Sequence, residues 1–113
     1  MNLSIWLDGM DVAITVCDRD GIIVYMNDQA TRTFSADGGK ALLGKSLWEC
    51  HPENAREKIR RLLATGAGNS YTIEKNGVRK LIHQVPWREN GQLAGLVEFS
   101  FVVPLALPHF VRS

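Results

Sequence analysis

The chain alternates from residue 12 onward, with Val12, Ile14 and Val16 on one parity and Ala13, Thr15 and Cys17 on the other. A period of two rich in β-branched side chains predicts a strand over residues 12–17. Asp18-Arg19-Asp20-Gly21 reads as the turn that follows. Asp at its first position can bond the backbone ahead of it, and Gly at its fourth accepts positive φ. Residues 22–26 are then the returning strand of a hairpin. Asn27 suits a helix N-cap, and residues 28–34 form a short helix with Ala30 and Phe34 four apart. Residues 36–43 are expected to be irregular or a short turn of helix, broken at Gly38-Gly39 and ended by Gly44. Residues 46–50 make one further turn of helix.

His51-Pro52-Glu53 opens the clearest helix, with Pro at the first helical position and Glu in the first turn. Ala55, Ile59, Leu62 and Leu63 form one apolar stripe flanked by Arg56, Lys58, Arg60 and Arg61, and Gly66 and Gly68 stop it. Three strands fill the rest: residues 70–75, 78–88 and 93–103, joined by turns at Asn76-Gly77 and Asn90-Gly91. On the second, Leu81, His83, Val85 and Trp87 oppose Lys80, Ile82 and Gln84. On the third, Val97, Phe99, Phe101 and Val103 oppose Leu96, Glu98, Ser100 and Val102. Pro104 and Pro108 prevent a further central strand.

Two strands, a run of short helices ending in a longer one, and three hairpin-linked strands make an α+β fold. We expect a five-stranded antiparallel sheet with the helices gathered on one face. Residues 1–10 are read as a helical lead-in or dimer cap, 11–103 as the domain and 104–113 as a tail.

Composition narrows this without redirecting it. The 113 residues are 45% hydrophobic and 22% charged, which suits one globular domain and not a disordered or fibrous chain. A net charge of +1 with scattered Lys and Arg gives no basic stripe for nucleic acid. Leu3-Ser4-Ile5-Trp6-Leu7 is too short for a signal peptide or membrane span, so a cytoplasmic protein is expected. Cys17 and Cys50 make no disulfide framework, and His51, His83 and His109 have no metal-ligand spacing, so no metal is assigned. No nucleophile elbow, phosphate loop or carboxylate pair with a partner histidine occurs, so no catalytic residue is assigned and the chain is expected not to be an enzyme.

The run from Ile14 through Asp18, Gly21 and Asn27, the glycine at Gly44, and Trp48-Glu49-Cys50-His51-Pro52 leading into a basic amphipathic helix resemble a bacterial PAS domain over residues 8–103. The resemblance implies a sensory module with a cavity between sheet and short helices, which binds a small ligand or cofactor, homodimerises and acts on a partner protein. Val103-Pro104-Leu105-Ala106-Leu107-Pro108 departs from the junction and coiled coil that precede kinase or cyclase outputs, so the output partner is unassigned. The expectation is a stand-alone or excised unit. Leu3, Ile5, Trp6 and Leu7 are placed against the same or a second sheet.

Ligand identity is left to the residues, because a fold does not set a function. Flavin-type light sensors carry a reactive cysteine where this chain has Leu47 in Gly44-Lys45-Ser46-Leu47-Trp48, so flavin-adduct chemistry is not expected. Haem needs an axial ligand, and the interior of the long helix has no histidine. His51 at its edge and His83 on an apolar strand parity are the candidates, although a lone histidine on such a face is more commonly structural. Phe34, Trp48, Cys50, Tyr71 and Trp87 are candidate liners of an apolar ligand pocket, against the commoner role of core filling. Cys17 and Cys50 as redox sensors would need lowered pKa values and exposure. A ligand-free dimerisation adaptor, its cavity filled by its own side chains, is the other expectation carried forward.

Overall fold

The computed structural model describes residues 4–113, and the side chains of Ser4 and Cys50 are also outside the described set. Leu3 of the expected lead-in and the Cys50 thiol therefore lie outside the described residues. The first hairpin pairs β1 (Ala13–Asp18) with β2 (Ile23–Met26). Its turn is built by Asp18, whose Oδ1 accepts from the amides of Asp20 at 2.9 Å and Ile22 at 3.0 Å. Gly21 closes it at φ +78, in the left-handed region that costs glycine nothing.

Asn27 is the joint between this hairpin and the helices. It caps α2 (Asp28–Thr33) by accepting from the Ala30 amide at 3.0 Å. The same oxygen accepts from the Ile14 amide at 3.0 Å, and Nδ2 donates to the carbonyls of Leu7 at 3.0 Å and Val12 at 2.7 Å. One buried amide thus ties α1 (Ser4–Asp8), β1 and α2 together. Two single turns of 3-10 helix, Ser35–Asp37 and Gly39–Leu42, follow where irregular chain or a short turn of helix was expected. α3 (Leu47–Cys50) is capped by Ser46, whose hydroxyl accepts from the Trp48 amide at 3.1 Å.

α4 (Glu53–Thr65) starts one residue later than its sequence suggests. Pro52 is its N-cap at φ −69, ψ 165, not its first helical residue. Its apolar stripe is used as expected: Ile59, Leu62 and Leu63 are buried with Cys17 and Leu96 of the sheet, and Leu47 and Trp48 pack against that cluster. Full burial of each aliphatic side chain contributes about 1.5–3 kcal/mol. Glu53 pairs with Arg56 and Arg60 on the exposed side, where such pairs contribute little.

β3 (Asn69–Lys75), β4 (Val78–Glu89) and β5 (Gln92–Val102) complete an antiparallel sheet in the order β2-β1-β5-β4-β3. Asn76 and Gly77, and Asn90 and Gly91, all take positive φ, which gives both tight turns the twist that suits a hairpin. The five-stranded antiparallel sheet with helices on one face agrees with the pattern of the chain.

The pairing of β4 with β5 holds one irregularity that the pattern did not show. Arg88 opposes Leu93, yet Trp87 opposes Gly95, so Ala94 is an extra residue in β5. Beyond this point Gln84 lies opposite Glu98 and Ile82 opposite Ser100.

A cavity between sheet and helices

The helix-covered face of the sheet carries Thr15 and Cys17, then Leu96, Glu98 and Ser100, then Ile82 and Gln84, and finally Tyr71 and Ile73. Across from them lie Thr33, Phe34, Leu42, Leu47, His51 and Ile59, and the space between is a cavity of about 550 Å3. Two packed clusters border it: Cys17, Leu96 and the α4 stripe on one side, and Ala13, Ile23, Met26 and Ala30 with Phe34 and Leu42 on the other.

The polar part of this lining is ordered. Asn69, Gln84 and Glu98 are direct cross-strand partners on β3, β4 and β5. Asn69 Nδ2 donates to Gln84 Oε1 at 2.8 Å, and Gln84 Nε2 donates to Glu98 Oε2 at 2.8 Å. A carboxylate can only accept, so Gln84 must turn its NH2 toward Glu98 and its carbonyl toward Asn69. A second cleft of about 210 Å3 adjoins this end and shares His51, Tyr71, Gln84 and Glu98 with the larger cavity. Lys58 Nζ lies 5.6 Å from the centre of the Tyr71 ring, within cation–π range.

Two lining groups titrate abnormally. Burial pushes the Cys17 thiol up, with a backbone hydrogen bond at Leu96 working in the opposite direction. A raised thiol is a poor nucleophile, the reverse of what a redox sensor requires. Burial also pushes the Tyr71 hydroxyl up, and the charge of Glu98 adds to it.

Of the residues singled out from sequence, Phe34, Tyr71 and His51 border the cavity. His51 Nδ1 lies 2.9 Å from the Leu47 carbonyl, which leaves Nε2 as its free nitrogen. Trp48, Trp87 and His83 lie elsewhere. The Trp48 indole covers Gly21 and donates to the Asp20 carbonyl at 3.0 Å, with the Arg60 guanidinium 5.4 Å from its ring. His83 and Trp87 share the strand parity opposite to Ile82 and Gln84, so they project from the other face of the sheet. There His83 Nδ1 meets Ser70 Oγ at 2.6 Å, and Trp87 Nε1 reaches the Cys17 carbonyl at 3.0 Å.

Sequence reasoning followed the most apolar parity and so passed over Thr15, Lys80, Gln84, Glu98 and Ser100, all on the cavity face. The signal available was the polar content of the other parity, with Glu98 and Ser100 interrupting an apolar run.

A family model described as the PAS fold matches residues 7–103. The chain belongs to the PAS fold family. PAS domains of this kind are sensory signalling modules and are in general not enzymes. No curated protein sequence matches the chain.

Solved PAS structures share the fold at low identity. The PAS domain of BvgS from Bordetella pertussis is 23% identical, with 90% of this chain and 84% of that one covered and a TM-score of 0.64. The Aer2 receptor from Vibrio cholerae, described as a dual PAS-heme oxygen sensor, is 18% identical over 87% of this chain and 99% of that one, with a TM-score of 0.60. VqmA, known from Vibrio cholerae and solved bound to DPO, is 14% identical with a TM-score of 0.69. This PAS chain spans 88% of itself but only 55% of VqmA in that match. No helix among the described residues is long and apolar enough to cross a membrane.

Proposed function

We propose that this PAS domain is a non-enzymatic sensor that binds a small molecule in the cavity over its sheet and, as a homodimer, regulates a partner protein. The observation that carries the reading is the 550 Å3 space itself, lined by apolar side chains from both layers and by Gln84 and Glu98, the inner two members of the Asn69–Gln84–Glu98 relay. Such a combination of apolar walls with a few fixed polar groups suits a small ligand. Binding would favour one packing of the short helices over the sheet and so shift the population between two states. The homodimer is supported by Ile5 and Trp6, which remain 65% and 59% exposed on a helix anchored through Leu7 and Asp8. VqmA, described as a dimer in one structure and as bound to DPO in another, offers a likeness of fold for the same reading.

Native mass spectrometry of the protein purified from its producing cells tests this. The expected result is a dimer mass carrying a small molecule, with the molecule lost in Thr15→Phe, which fills the cavity. A bare dimer that takes up nothing from a metabolite panel overturns the ligand reading in favour of a dimerisation adaptor.

A second reading, haem binding, is favoured by His51. Its Nδ1 contact with the Leu47 carbonyl would orient the ring and free Nε2 beside the cavity, the arrangement expected of a ligating histidine. His51 would hold the iron, and haem would supply gas or redox sensitivity. The likeness to the Aer2 fold supports the comparison. A Soret band lost in His51→Ala and kept in His83→Ala is the expected result. Protein that stays colourless after incubation with haemin overturns it.

A further inference from the structure

We infer that Glu98 selects the ligand, and that the ligand is a protonated nitrogen base with an apolar body. The inference rests on the cavity being a ligand site and names what that site prefers.

The chemistry follows from where donors are already supplied. Gln84 must give its NH2 to Glu98 Oε2, and Asn69 in turn gives its NH2 to Gln84 Oε1. The relay therefore runs in one direction and ends on a carboxylate. Among the described residues the ion pairs join Arg56, Arg60, Arg61 and Arg79 to Glu53, Glu57 and Glu74, and none involves Glu98. A carboxylate that faces a cavity and takes one amide donor, with no ion-pair partner among the described residues, retains accepting capacity for a guest. A guest that donates from a charged nitrogen makes the stronger kind of hydrogen bond there.

The other charges on the cavity wall leave this preference in place. Lys80 is on the same strand as Gln84 but four residues away, roughly 13 Å at the rise of a strand. Asp37, of opposite sign, lines the same cavity. Lys58, at the smaller cleft, lies over the Tyr71 ring. Ile59, Leu96 and Ile82 receive the apolar body. An anionic ligand placed at Glu98 would meet like charge, and a neutral one would forgo the charge assistance.

Three probes of one shape test this: tryptamine, tryptophol and indole-3-acetate, titrated into the 15N-labelled full chain and followed by NMR. Tryptamine is expected to bind about tenfold or more tightly than tryptophol, and indole-3-acetate most weakly, with the Gln84 side-chain amide shifting on tryptamine binding. Glu98→Gln keeps an acceptor and the hydrogen-bonding shape, and should bring tryptamine down to the tryptophol level while tryptophol itself is unaffected. Equal affinity for tryptamine and tryptophol in the wild-type protein, or a ratio unchanged in Glu98→Gln, overturns the role of Glu98 and leaves the sensor reading standing. Failure of all three probes to perturb any cavity resonance overturns the ligand reading beneath it. The wild-type ratio needs no variant, so it decides the matter even if Glu98→Gln misfolds.

Discussion

The indole of Trp87 crosses a neighbouring strand to bond the Cys17 carbonyl, 70 residues away in sequence and 3.0 Å away in space. Gly95, on the strand between them, makes the crossing possible. A Cβ there would collide with the Cys17 carbonyl oxygen and stand 2.6 Å from Trp87 Nε1. Gly95→Ala should therefore destabilise the domain by about 2–3 kcal/mol, as overpacking does when backbone has to move. Trp87→Phe should cost about 1–2 kcal/mol through a carbonyl left without its donor. Urea denaturation measures both, and a Gly95→Ala midpoint equal to wild type would contradict the close approach.

Asn27 is the most demanding polar position in the domain. It is 1% exposed and its side chain makes four hydrogen bonds, two accepted and two donated. An ordinary N-cap loss costs about 1 kcal/mol. Asn27→Ala should exceed that severalfold, because buried amides and carbonyls on α1, β1 and α2 lose their partner together. Asn27→Asp keeps the acceptor but sets a carboxylate against the Leu7 and Val12 carbonyls, so it should not rescue. Thermal unfolding of both variants reads this, and an Asn27→Asp protein as stable as wild type would remove the donor half of the account.

Tyr25 makes stability depend on alkaline pH. Partial burial, and then its hydrogen bond to Asp8 and the negative charges of Asp8 and Asp28, push its hydroxyl up to about 12. The unfolded phenol titrates near 10. Below pH 10 both states hold the proton and the contribution is complete. Between about 10 and 12 only the folded state holds it, so stability falls as pH rises through this window. Tyr25→Phe should flatten that fall. Denaturation midpoints from pH 8 to 11.5 that decline equally in both proteins would rule out Tyr25 as the source.

Burial at Cys17 predicts a thiol that is slow to react. Iodoacetamide at pH 8 should modify Cys17 at least about tenfold more slowly in the folded protein than in urea, since both the thiolate fraction and access are reduced. Peptide mapping by mass spectrometry separates this site from Cys50. Equal rates in the two states would show that the cavity wall opens readily.

The features legible in the sequence are those made by neighbours in the chain. Asp18 and Gly21 build their turn from their own side chain and backbone, and Asn27 caps the helix that begins at the next residue. Asn76-Gly77 and Asn90-Gly91 reverse the chain because both residues of each pair tolerate positive φ. The α4 stripe buries the residues its spacing indicates. Fold class, strand number and long helix follow from such local rules, and with them the PAS resemblance.

The cavity wall is a different matter, because alternation defines two faces of a strand without saying which one the helices cover. Leu81, Val85, Trp87, Phe99 and Phe101 form the more apolar parity, yet Ile82, Gln84, Leu96, Glu98 and Ser100 turn toward the helices. His83 and Trp87 are displaced from the cavity for this reason alone. Register adds a second decision. Counting back from the Asn90-Gly91 turn without interruption would set Gln84 opposite Val97, and only the extra residue at Ala94 moves it opposite Glu98. A one-residue slip exchanges the faces of paired strands. The sequence by itself therefore determined the elements, their order and their turns, each stabilised within a few residues. The tertiary structure alone decided which face became the cavity and which side chains meet there, because a bulge and a helical crossover act on contacts far apart in the chain.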